Sequence, residues 1–242
     1  MEPACQNCGA NPTIDAHIIP AAFFRYAREG NNHLVAPGSR GAPRAKTQLG
    51  LFDREILCSP CDGAIGNLDK YAIEYCKGFK ISRIYQAYQI IKFENLDVDR
   101  IKRFAVAVIL RAAISKLDQF SATRLDSYEE IAKQIVFGRL LPDNCNTLHV
   151  QINLLTHESE PVTSFVTYPV LCRNENGPYH IFLAGGFQFL VRFGARPFVT
   201  GRHRVIADKL ALHSSKPPIG VVYPFVDAGE FEIARLSKSS GF

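Results

Sequence analysis

The sequence predicts an α+β protein with a metal-pinned element over residues 1–70, a helical stretch over 71–140 and a mainly antiparallel β region over 141–242. Three observations carry this reading. Two Cys-x2-Cys pairs, Cys5/Cys8 and Cys58/Cys61, bracket the first part. Apolar residues then recur at helical spacing. Beyond Pro142 they regroup into strand-length runs rich in branched and aromatic residues. A chain of 242 residues can bury a sizeable core in no more than two folding units, and no clear linker separates its helical and sheet portions.

The amino-terminal element opens with CQNCG, followed by DAHIIP. After Pro20, AAFFRYARE reads as a short helix with proline in its first turn. The next stretch, NNHLVAPGSRGAPRAKTQLG, has no sustained periodicity and reads as a mobile loop. Between Asn67 and about Ile91 the positions Leu68, Tyr71, Ala72, Tyr75, Phe79 and Ile84 follow a helical period, interrupted near Lys77-Gly78. Asp99 precedes RIKRFAVAVILRAAISKL, whose centre is apolar on most faces, as expected of a helix buried in the core. Ser127 and Glu130 form a capping box ahead of IAKQIVF, and Gly138 supplies the stop. HVQINLL, TSFVTYPVL, YHIFLA and FQFLVRF then read as strands, with turns at RNENGPY and Ala184-Gly185-Gly186 that suggest an antiparallel meander.

Composition narrows the function. Charged residues make up 21% of the chain and the formal net charge is +5, which permits a polyanionic partner without requiring one. The longest apolar run, FAVAVIL, is too short to span a bilayer, and the first residues lack a basic stretch followed by an apolar one. No membrane or secretory role is expected, and the expected compartment is the cytoplasm. The β half carries no nucleophile elbow, glycine-rich phosphate loop or paired-carboxylate signature.

Four of the seven cysteines sit in the two knuckles, a pattern of metal ligation in a reducing compartment. Four thiolates from two tight turns suit tetrahedral zinc, and a site closed by four sulfurs leaves no position for a reacting water. Zinc here is therefore expected to be structural. Cys76, Cys145 and Cys172 stand alone and are assigned no chemistry.

The order CQNCG, DAHIIP, ILCSPCD over residues 5–70 resembles the HNH nuclease family. That resemblance implies a treble-clef or ββα-metal finger pinned by zinc on Cys5, Cys8, Cys58 and Cys61. It also implies metal-dependent hydrolysis of DNA phosphodiester bonds. His17 matches the general base. Asp53 lies where the family commonly has an asparagine that orients the site, and Asp62 stands where its last histidine ligand falls, a chemically reasonable place for magnesium or manganese. The pattern departs at Ala16, which replaces the ligand ahead of the base. Asp15, one residue earlier, and Asp69, on the helix after the second knuckle, are the reserve ligands.

Positive charge gathers between the base and the second knuckle, where Arg25, Arg28, Arg40, Arg44 and Lys46 form a candidate phosphate-binding surface. Arg202-His203-Arg204 and Lys216 are a second basic group. DNA is the expected partner. The alternative is a zinc-binding module without catalysis that binds nucleic acid or a protein; a third reading is an unrelated enzyme carrying a structural zinc ribbon.

Overall fold

The computed structural model describes residues 3–28, 34–35, 46–47, 49–79, 90–157, 160–196, 198 and 219–224. In chain order these form β1 (Ala16–His17), α1 (Ala21–Ala27), β2 (Leu34–Val35), β3 (Lys46–Thr47), β4 (Phe52–Asp53), α2 (Ser59–Gly78), β5 (Ile90–Lys92), α3 (Val98–Ile114), α4 (Glu129–Val136), β6 (Leu148–His157), β7 (Glu160–Pro161), β8 (Thr167–Asn174), β9 (Gly177–Ala184), β10 (Phe187–Phe193) and β11 (Ile219–Pro224). The fold is α+β, and among the described residues four helices stand ahead of most of the sheet.

Strands β8, β9, β10 and β6 lie side by side and antiparallel, as the alternating runs predict. On the far side of β6, β11 pairs in parallel and β5 closes that edge. The β9–β10 turn is made by Gly185 and Gly186, both at positive φ (62° and 88°), the backbone that a two-residue hairpin loop demands. A side chain at Gly185 would also collide: its Cβ would stand 2.7 Å from Cys76 Cβ and 2.9 Å from Phe23 Cε1.

Helix α3 crosses the inner face of this sheet and is buried along nearly its whole length. Phe104 meets Phe182 and Phe189 on the sheet and Phe23 on α1, with ring centroids 5.5–6.1 Å apart. One continuous apolar cluster thus runs from Cys5 and Cys58 through α3 to Phe193. Each fully buried large apolar side chain contributes about 1.5–3 kcal/mol, so this cluster is the main source of stability.

Several boundaries differ from the sequence expectation. Helix α2 starts at Ser59 rather than near Asn67, because Pro60 at the first turn and Asp62 behind it suit a helix start. It ends at Gly78, where the interruption was expected. Ile90–Lys92 is a strand instead of a helix end, since Ile90, Ile91 and Lys92 pair with Val221, Gly220 and Ile219. The cap of α3 is Asp97, whose side chain accepts from the Arg100 N–H; Asp99 sits inside the first turn and pairs with Arg103 at 3.5 Å. The Ser127/Glu130 capping box does not form: residues 126–128 make a 3-10 turn, with Asp126 at φ 46°, and Tyr128 stacks on Phe193. Gly138, at φ 73°, does end α4. Strands β2 and β3 pair with each other inside the stretch read as a loop. Among the described residues no helix is long and apolar enough to cross a membrane.

Candidate functional site

The two knuckles are laid together by backbone bonds before any sulfur is considered. Cys5 N–H donates to Ala10 O and Gly9 N–H to Cys5 O, closing the first turn, while Gln6 and Ile14 N–H donate to Ile56 and Leu57 O. The second knuckle is the start of α2, with Cys58 as its N-cap and Cys61 in its first turn. The four Sγ atoms lie within 4.8 Å of one another, and Cys8 is 3.6 Å from both Cys58 and Cys61. Thiolates about 2.3 Å from a tetrahedral ion stand about 3.8 Å apart, so this cluster can hold one structural metal ion.

The surroundings of the four sulfurs differ, lowering the pKa of the Cys5 thiol and raising those of Cys58 and Cys61. The helix start presents positive potential to Cys58 and Cys61. Asn7 Nδ2 donates to Cys61 Sγ at 3.2 Å, and Arg139 Nη2 donates to Asn7 Oδ1 at 3.3 Å, fixing the amide that faces the sulfur. Burial raises the Cys5 thiol, but N–H groups of Cys58, Asn7 and Cys8 outweigh it and bring it down to about 6. Burial pushes Cys61 up to about 12. Metal entry therefore releases protons.

Beside this cluster lies a second feature, an open groove of about 340 Å³. Its first wall is β1. Ala16 pairs with Asp53 and His17 with Phe52, so alternation along the strand turns Ala16 into the core and His17 toward the groove. Its floor is α2: Asp62, Gly66, Asp69, Lys70 and Ile73 recur at spacings of three, four and one along the helix and share one face. Arg25 on α1 and Arg111 on α3 complete it. Burial lowers the His17 pKa, opposed by Asp62 and reinforced by Arg111 and Arg25. Burial raises that of Asp62, opposed by Arg111 and His17.

Of the sequence-derived candidates, His17, Asp62, Asp69 and Arg25 come together here. Asp69 is not free: Arg111 Nη1 and Nη2 donate to its two oxygens at 2.7 and 3.0 Å. Asp53 lies elsewhere. Its buried carboxylate accepts from Ser115 Oγ and the N–H groups of Lys116 and Glu55, at 2.7–2.8 Å, and so ties β4 to the end of α3. Asp15 is on the surface in an ion pair with Arg54 at 2.8 Å; it does not line the groove, although its charge acts on His17 and favours the protonated ring. Ala16 itself is wholly buried. Arg28 caps the end of α1 and does not line the groove. Lys46 lies in β3, whereas Arg40, Arg44, Arg202, His203, Arg204 and Lys216 fall outside the described residues. Among the described residues, the four cysteines are the only group of three or more His, Cys, Asp or Glu with ligand atoms mutually within 4.8 Å.

Two charged groove residues were not foreseen, Lys70 and Arg111. Arg111 did carry a signal. It is the lone charge in the run FAVAVILRAAI, and a cation inside an apolar helix needs a buried partner.

Comparison with protein-family models, with curated proteins and with solved structures finds no match in any of the three. Fold and site by themselves define an α+β chain with a closed four-thiol centre able to hold a metal ion. Directly beside it, on the same helix, is an open polar groove.

Proposed function

We propose that the chain is a metal-dependent endonuclease of the HNH type, built on a zinc-pinned treble-clef finger, that hydrolyses DNA phosphodiester bonds. The observation that carries this reading is the shared groove of His17 and Asp62, one from the strand after the first knuckle and the other from the helix turn after the second. Zinc, bound by Cys5, Cys8, Cys58 and Cys61, is structural in this reading and fixes the start of α2, hence the place of Asp62.

In the reaction, neutral His17 accepts a proton from the attacking water. Asp62 is the groove carboxylate that would hold a divalent cation such as magnesium or manganese. When bound, that ion would offset charge on the phosphate and the leaving oxygen. Arg25 and Lys70 hold the backbone at the rim. Asp53 acts at a distance, by holding the strand paired with that of His17.

A second reading, a zinc-bound module that binds nucleic acid or a protein without cleaving, is favoured by one observation: Arg111 already occupies the carboxylate of Asp69. Plasmid cleavage with magnesium and with manganese, alongside zinc quantification, separates the two. The nuclease reading expects about one zinc per chain and a loss of about 10²–10⁴-fold in rate for His17→Ala. Equal rates for parent and variant would remove His17 as the base, and zinc without any cleavage would leave the binding module.

A further inference from the structure

We infer that the groove contains a phosphate-oxyanion subsite on Arg111, with Arg25 and Lys70 adding positive charge at its rim. The proposal deepens the nuclease reading, on which it rests for the identity of the polymer but not for the site.

Arg111 reaches the groove from α3, outside the stretch that holds the knuckles and the base. Its side chain is 2% exposed. A guanidinium offers two forked edges, one made by the two terminal nitrogens and one that includes Nε. Asp69 fills the first, accepting from Nη1 and Nη2. The Nε–H on the other edge is buried and has no hydrogen-bond partner. Buried donors without partners are rare in native proteins; Arg28 and Arg103 also carry such an Nε, but of the three only Arg111 lines the open groove, beside Arg25 and Lys70, where an anion would complete it.

The chemistry selects an oxyanion. Arginine forks bind phosphate through two parallel charge-assisted bonds, and a phosphodiester keeps two unesterified oxygens that match them. Asp69 then serves as a positioning residue: it fixes the guanidinium from the adjacent edge and has no need to leave. Three cations, Arg25, Lys70 and Arg111, stand against the two carboxylates Asp62 and Asp69 in this groove, so its charge balance admits an anion. Free phosphate and a phosphate within DNA share this chemistry.

The test uses the full zinc-loaded chain without added divalent ions. Arginine Nε–H resonances are followed by 15N NMR during titration with inorganic phosphate, and Arg111→Lys identifies the signal of Arg111. In a second arm, binding of a short DNA duplex is measured against salt concentration. The expected result is a saturable shift of the Arg111 Nε–H signal in phosphate. Arg111→Lys should bind DNA about tenfold more weakly despite its retained charge, the loss of one charge-assisted fork. Arg25→Gln and Lys70→Gln should each lower the salt slope by about 0.9, one phosphate contact. A signal that does not move at saturating phosphate overturns the subsite, as does unchanged DNA binding by Arg111→Lys at parental zinc content. If Arg111→Lys fails to fold, unchanged salt slopes in both rim variants overturn it instead. Phosphate binding at Arg111 without metal-dependent cleavage would sink the nuclease reading and keep the subsite; cleavage indifferent to Arg111 would do the reverse.

Discussion

Cys61 and Asp62 are neighbours in the first turn of α2, yet they belong to regions with opposite requirements. Cys61 turns inward to three other sulfurs and an amide donor, a centre whose bonding capacity is filled from within the chain. Asp62, about 100° further round the helix, looks into a groove with capacity to spare. One helix start thus serves two kinds of site. The closed centre stores stability and fixes position, and the open groove uses that position for recognition and chemistry.

The harshest way to break this division is to open the closed centre. Cys61→Ser should lose the metal and with it most of the roughly 10 kcal/mol or more that a four-thiolate zinc site contributes. Because Cys5, Cys58 and Cys61 belong to the same apolar cluster as α3, metal content and thermal melting should fall together across the whole chain. A folded, metal-free variant would show that the thiols are only packing.

A milder test sits between the two regions, at Asp53. Its three hydrogen bonds to the end of α3 and to its own turn make it a structural anchor, so Asp53→Ala should cost about 3 kcal/mol in chemical denaturation. Were Asp53 instead a cation ligand, activity would vanish at unchanged stability.

His180 offers a contrast from the sheet. Burial holds its pKa down to about 4 from an ordinary 6.5, and its Nε2 has no hydrogen-bond partner, so the folded chain keeps it neutral. A depressed histidine pKa means that its stability contribution is intact above about 6.5 and is lost as pH falls toward about 4. Between pH 7.5 and pH 5 it should take away about 2 kcal/mol, and His180→Gln should flatten that part of the melting profile. An identical pH profile in parent and variant would assign the acid sensitivity to other groups.

The smallest effect belongs to Asp15. Its exposed pair with Arg54 is worth about 0.5 kcal/mol at most, and Asp15→Ala should leave zinc content, melting and cleavage close to parental. A sharp loss of cleavage would return Asp15 to the site.

Much of this was legible in the sequence because it rests on local spacing. Two knuckles announced a four-thiol centre, the apolar run around Val106 announced the central helix, and Gly138 and Gly185-Gly186 marked stops and turns. What was not legible depends on distant partners. Ile91 reads as helical until Gly220, far along the chain, pairs with it. Ser127 reads as a cap until Tyr128 stacks on Phe193 and the chain takes a tighter turn. In the groove, His17 was legible from HIIP, but the fates of Asp53 and Asp69 depended on Ser115 and Arg111, which only folding brings to them.

The Gly185-Gly186 turn bears on how such a chain can be recombined. It presses against Cys76 of α2 and Phe23 of α1, so the hairpin tip of the sheet is the lid over the elements that carry the groove. A segment cut after residue 70 and grafted elsewhere would take Phe23 with it but leave Gly185 and Phe104 behind, exposing an aromatic ring that now has no access to water. Shuffling of this fold should therefore conserve the whole assembly or replace the sheet with another surface of the same shape. The glycine turn is where a hybrid would first fail to close.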